Sequence, residues 1–131
     1  MKTPIALCFV SREGKYLLLH RSPTDESNPD RWGLAGGHVE EGETPIQGAI
    51  RELQEETTLQ TKPKFMELLQ VIPLQDKDLY LYHVKRSKGD VKLLDGEHYE
   101  YVWCPPEAVG WYDCLPYMQE TIEQLSKKEI Q

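Results

Sequence analysis

Six carboxylates crowd one stretch of this chain. Between Gly37 and Leu59 lie Glu40, Glu41, Glu43, Glu52, Glu55 and Glu56, offset only by Arg51, so the segment carries −5 of a net charge of −7. In a helix turning about 100° per residue, Glu52, Glu55 and Glu56 share an arc of roughly 100°. Like charges at those spacings repel by about 0.2–0.5 kcal/mol per pair. Glutamate is a good helix former, and a lone Glu-Glu pair would read as a solvated face. Three acids on one arc need a further reason. A hard divalent cation reverses the sign of the repulsion, and carboxylate oxygens are the donors magnesium and manganese prefer. Just upstream, Trp32-Gly33-Leu34-Ala35-Gly36-Gly37 is not solvated-face sequence. Its adjacent glycines allow sharp turns and close backbone approach to a ligand, and the Gly37 carbonyl becomes a further donor.

The elements that must position these groups are legible in outline. Thr44 caps a helix, Pro45 suits its first position, and Gln47 completes a capping box. Ile46, Ala49, Ile50 and Leu53 then form an apolar stripe, with Glu52 and Glu56 on its border. A second helix runs from about Pro116 to Lys128, with Met118, Ile122 and Leu125 at helical spacing. Ile5–Val10 and Tyr16–His20 read as strands joined by a hairpin turn at Ser11-Arg12-Glu13-Gly14. Phe65–Ile72 and Leu79–Val84 are two more, of a kind that fits strands covered on both sides, and Tyr101–Cys104 is a shorter fifth. Ser22–Arg31 and Lys85–His98 are expected surface loops, the kind of segment that carries specificity. This order predicts an α/β sandwich with one helix on each face of a mixed β-sheet.

Gly37, five residues, Glu43, seven residues, then Arg51-Glu52-Leu53-Gln54-Glu55-Glu56-Thr57-Thr58-Leu59 resembles the Nudix box of the Nudix hydrolases. Eight of the nine defined positions agree, which average residue frequencies would produce in about one window in 10⁸. The strand ending in His20-Arg21, the Trp32 before the glycines, and Glu97-His98 followed by Trp103 are similar to features that flank the box. The resemblance implies a single Nudix domain over residues 1–131 with the family's α/β/α sandwich. The box has glycine where this chain has Thr58. A β-branched residue enters the left-handed conformation only at about 1–2 kcal/mol, so the helix is expected to end differently, unwinding near Thr57.

The resemblance further implies that Glu52 and Glu56 bind a catalytic Mg2+ or Mn2+, supported by Glu55 and the Gly37 carbonyl. Arg51 and Glu43 resemble the family's ion pair, with Arg51 placed among the catalytic groups. The general base is Glu52 or a glutamate on a later loop, Glu97 first and Glu100 second. Arg21 is a candidate phosphate contact. Trp32, Trp111, Tyr112 and Asp113 are candidate base contacts, since aromatic faces stack on nucleobases and a carboxylate accepts from an exocyclic amine. His38 reads as a loop histidine, and His20 and His83 as strand residues. The implied reaction is metal-dependent hydrolysis of a diphosphate linkage in a nucleoside triphosphate, as in MutT-type members. The alternatives are a nucleotide sugar, ADP-ribose or a dinucleoside polyphosphate as substrate, or a non-catalytic nucleotide-binding module, which should have lost its box carboxylates.

Bulk properties agree. At 131 residues the chain is the size of one domain, and 39% hydrophobic with 28% charged residues is ordinary for a globular protein. The acidic balance argues against a nucleic-acid polymer as partner, because backbone binding is driven by cationic contacts. Cys8, Cys104 and Cys114 have no paired spacing and are expected to be reduced thiols, mostly buried. The apolar run Ile5–Val10 is too short for a signal-peptide core, and no membrane partner is expected. The expected location is the cytoplasm.

Overall fold

Strand alternation divides the core into two layers. The computed structural model describes residues 2–24 and 29–130. In β1 (Thr3–Arg12) Ala6, Cys8 and Val10 point to one face, while Phe9 points to the other with Ile5 and Leu7. In β2 (Lys15–Arg21) Leu17 and Leu19 join the first face, and Tyr16 and Leu18 the second. Residues of β6 (Lys77–Val84) alternate in the same way. Burial of alternate residues on opposite faces is what a strand covered on both sides requires.

One helix closes each layer. In α1 (Pro45–Thr57) Ala49 and Leu53 seal the face of Ala6, Cys8 and Val10. In α2 (Pro116–Ile130) Met118, Ile122 and Leu125 pack against Phe9, Leu18 and Leu81. The predicted α/β/α sandwich is present. The capping box forms as its sequence requires: the Thr44 hydroxyl accepts from the Gln47 N–H at 3.3 Å, and the Gln47 side chain accepts from the Thr44 N–H at 2.8 Å.

Among the described residues the sheet has seven strands and is mixed. β1 runs parallel to β6, from Thr3↔Lys77 to Val10↔Val84, and antiparallel to β4 (Ala35–His38), from Ile5↔His38 to Cys8↔Ala35. The β1–β2 hairpin turns through Glu13 (φ 53°) and Gly14 (φ 76°), two positive values that match the twist of the joined strands. β2 pairs β7 (His98–Cys104) and the short β3 (Trp32–Gly33). β5 (Met66–Pro73) pairs β6 at the margin of the sheet.

Several expectations need correction. The glycine segment, read from its sequence for sharp turns and close backbone approach, is in part a strand, because Ala35–His38 pairs with β1 as β4. β5 is not covered on both sides: as the last strand it exposes Leu68 and Val71. The Lys85–His98 segment is not wholly superficial, for His98 starts β7 and is 5% exposed. Within the expected loop at Ser22–Arg31, residues 25–28 lie outside the described residues.

Thr58 departs most from expectation. The helix continues through Thr57, and Thr58 takes the left-handed conformation anyway (φ 65°, ψ 2°), its N–H donating to the Gln54 carbonyl at 3.0 Å. Its hydroxyl donates to the Asp90 carbonyl at 2.8 Å. That bond, worth about 0.5–1.5 kcal/mol, offsets the strain of the β-branched residue.

Candidate active site

β4 and α1 meet where the glycines and glutamates face each other. A Cβ on Gly36 would lie 2.2 Å from the Ala6 carbonyl oxygen, so only glycine lets β4 approach β1 this closely. The freed Gly36 N–H donates to Glu56 Oε1 at 3.0 Å. Glu56 is 4% exposed. Burial first, then neighbouring Glu52 and Asp95, push its carboxyl from 4.5 up to about 9, against the lowering effect of the Gly36 bond. A buried carboxylate among other acids holds either a proton or a cation.

Glu52 stands one turn earlier. Its carboxylate rests against Gly37, where a Cβ would come within 2.9 Å of its carboxyl carbon. Arg51 anchors the surrounding loop: Nε donates to Glu43 at 2.8 Å, Nη2 to Glu43 at 2.9 Å, and Nη2 to the His38 carbonyl at 3.0 Å. This two-pronged contact holds the Glu43 carboxyl down at about 2, helped by the Glu40 N–H, and pushes Arg51 above its ordinary value. Arg51 Nη1 also donates to Glu52 at 2.9 Å and to Glu55 at 3.3 Å. The Glu55 side chain is 58% exposed, so it stands at the outer margin of the acidic group.

Sequence reasoning missed two members. Glu56, Asp95 and His98 offer ligand atoms within 4.8 Å of one another. His98 Nδ1 lies 3.0 Å from Asp95 Oδ2. Its Nε2 is buried and, among the described residues, without a partner. This acidic cluster can bind a divalent cation, and its oxygen-rich donors suit a hard ion. The Asp95-Gly96 turn was the available signal, but nothing local says that this loop folds back onto a helix forty residues away.

A cleft of about 890 Å³ opens beside these groups, lined by Glu52, Glu56, Glu97, Arg21, Trp32 and Tyr117 among others. Its size suits a nucleotide. The indole of Trp32 stacks on His20 at 4.4 Å and 9°, with Tyr112 edge-on at 4.9 Å. Arg21 and Glu97 thus share the cleft with the acidic group. Glu100 does not line it: its carboxylate is 2.6 Å from His20 Nδ1. Trp111 is 85% exposed and borders a separate surface depression with Gln119 and Glu123. Asp113 reaches the site through its backbone, whose carbonyl accepts from the Trp32 N–H at 3.0 Å, while its side chain is 73% exposed. Cys8 lies beneath α1, where burial, then Glu56 and Glu52, raise its thiol far above the ordinary value. It is a packing residue, not a nucleophile.

The NUDIX domain model matches residues 1–125. The chain is 31% identical over 114 residues to the CTP pyrophosphohydrolase of Escherichia coli (strain K12), covering 86% of this chain and 82% of that protein. It is 30% identical over 128 residues to the 8-oxo-dGTP diphosphatase of the same organism, covering 96% and 98%. The crystal structure of the MutT protein from Methanosarcina mazei Go1 superposes with a TM-score of 0.81 at 27% identity, covering 99% of this chain and 96% of that one. The family model spans the whole sheet, the box, α1 and the first part of α2, and by it the chain belongs to the NUDIX domain family, as a Nudix hydrolase.

Proposed function

We propose that this Nudix hydrolase cleaves a diphosphate linkage in a nucleoside triphosphate, using Mg2+ or Mn2+ held by Glu52 and Glu56 with Glu55 and the Gly37 carbonyl in support. The observation that carries this reading is the burial of Glu56 beside Glu52, at the wall of a cleft that is also lined by the Arg21 side chain and the Trp32 ring. The two Escherichia coli relatives named for hydrolysis of nucleoside triphosphates align over most of the chain, which favours that substrate class.

A bound divalent ion would neutralise charge developing on the diphosphate and lower the pKa of an attacking water. The protein does the rest. Arg21 contacts a phosphate oxygen, and Trp32, braced by His20, offers its face to the base. Glu97 or Glu52 accepts the proton of the attacking water, both standing in the cleft. Arg51 holds the β4–α1 loop so that Gly37 and Glu52 stay in register. Asp95 and His98 close the inner side of Glu56.

The test is a panel of nucleoside triphosphates, dinucleoside polyphosphates, ADP-ribose and nucleotide sugars with magnesium, reading pyrophosphate, phosphate and nucleotide release. Pyrophosphate from triphosphates, lost in Glu56→Gln, supports the proposal. Turnover of sugar conjugates alone, or a Glu56→Gln variant as active as the parent, overturns it.

A further inference from the structure

A cluster of positive charge on this acidic protein lies away from the candidate active site. A groove of about 510 Å³ is lined by Arg12, Lys62, Lys85, Arg86 and Lys88, with Glu13 as its lone acid among the described residues and Phe65 as its aromatic member. It sits at the end of β1 opposite the cleft. Leu7 lines the cleft and Ser11 lines the groove, a separation of about 13 Å at roughly 3.3 Å per strand residue. We propose that this groove is a second binding site, for a compact polyphosphate anion.

Most of these charges have no acidic partner. Arg12 donates to the Gly89 carbonyl at 2.9 Å and to the Ser87 carbonyl and hydroxyl at 3.1 and 2.9 Å, neutral groups that fix the guanidinium and leave its charge unbalanced. Lys85 reaches Glu67 at 3.5 Å. Among the described residues, Lys62, Arg86 and Lys88 have no carboxylate within 4.0 Å. The walls are built, not draped: Gln60 and Lys88 exchange backbone hydrogen bonds at 3.1 and 2.8 Å, and the Thr61 hydroxyl donates to the Arg86 carbonyl at 2.6 Å. Like charges held on such a frame repel until an anion enters.

Charge density selects the ligand. A single carboxylate would answer one of these cations, whereas a chain of two or three phosphates answers several through charge-assisted hydrogen bonds. The volume lies within the roughly 300–1,000 Å³ of small-molecule sites. A nucleic-acid strand leaving the groove would run over a protein of net charge −7, against the electrostatics that drive such binding. Inorganic polyphosphate and the phosphate tail of a nucleotide share this chemistry. Phe65, with Lys64 at 5.1 Å and Arg86 at 5.9 Å from its ring centre, adds an aromatic surface that only a nucleotide would use.

The experiment titrates tripolyphosphate, and separately a nucleoside triphosphate, into the metal-free protein in chelator, so that hydrolysis does not proceed. Backbone amide shifts are followed at residues 60–62, 64–65 and 85–88, against 36–38 and 52–56. Shifts in the first set are expected, and a K62Q/R86Q/K88Q variant should weaken binding by about tenfold or more. The same variant should keep magnesium-dependent turnover within about twofold, the sites being distant. A K127Q/K128Q control, which removes charge elsewhere, should bind as the parent does. Equal affinity for the two ligands assigns recognition to the phosphates alone. Tighter nucleotide binding with added shifts at Phe65 assigns a share to the base. Four results overturn the proposal: no groove shifts at about 1 mM ligand, shifts confined to the cleft, equal weakening in the control, or displacement of tripolyphosphate by a tighter-binding single-stranded oligonucleotide.

Discussion

The carboxylate of Glu52 occupies the space that a side chain on residue 37 would need. A Cβ on Gly37 would stand 2.9 Å from its carboxyl carbon and 3.0 Å from each oxygen. The lack of a side chain at residue 37 is thereby what lets the carboxylate lie against the strand backbone. Gly37→Ala should fold, because the displaced group is the end of a flexible side chain, yet weaken manganese binding by about tenfold or more. Gly36→Ala should differ in kind: its Cβ meets the Ala6 carbonyl at 2.2 Å, and a loss of about 3 kcal/mol or more is expected. Thermal melts alongside a manganese titration separate the two outcomes.

Arg51 acts through its shape as much as its charge. Its guanidinium spans Glu43, the His38 carbonyl and Glu52. Lysine keeps the charge and loses the fork. Arg51→Lys should lower stability by about 1–3 kcal/mol and reduce kcat by about tenfold to a hundredfold through loss of registry. Denaturant titration and steady-state kinetics check both. Unchanged kcat would show that the loop keeps its position without the clamp.

Thr58 joins two opposing contributions. Its left-handed backbone costs about 1–2 kcal/mol, and its hydroxyl bond to Asp90 returns about 0.5–1.5 kcal/mol. Thr58→Gly should therefore change stability by less than about 1 kcal/mol, while Thr58→Val, which keeps the strain and loses the bond, should destabilise by about 1 kcal/mol. Chemical denaturation of the two variants measures the balance.

Glu56 makes the metal-free protein sensitive to pH. Its folded value is raised from 4.5 to about 9, so the folded state binds a proton that the unfolded chain releases. That contribution to stability is fully present below about pH 4.5 and is lost as pH rises through about 9. In chelator, the parent should lose stability between those limits by up to about 1.4 kcal/mol per pH unit relative to Glu56→Gln. A divalent ion replaces the proton, so its binding should tighten with pH and release protons into weakly buffered solution. Parallel pH profiles for parent and variant would contradict this.

What the sequence showed, it showed locally. The capping box, the stripe through Ala49 and Leu53, and the arc of Glu52, Glu55 and Glu56 are relations within a few residues, and each appears in the structure. The strand at Ala35–His38 was hidden because two of its four residues are glycines, which have no side chains to alternate. The bond that lets Thr58 end the helix comes from Asp90, and the partners of Glu56 come from Asp95 and His98. These contacts are made by chain return, which periodicity does not encode. The exposure of β5 is likewise set by its place at the margin of the sheet. The cations of the groove lie between Arg12 and Lys88, and only the fold gathers them.

An anomalous-difference map from crystals soaked in manganese bears most directly on the site. A peak between the carboxylates of Glu52 and Glu56, beside the Gly37 carbonyl, is the predicted result. Those side chains turned into solvent with no ion between them would contradict it.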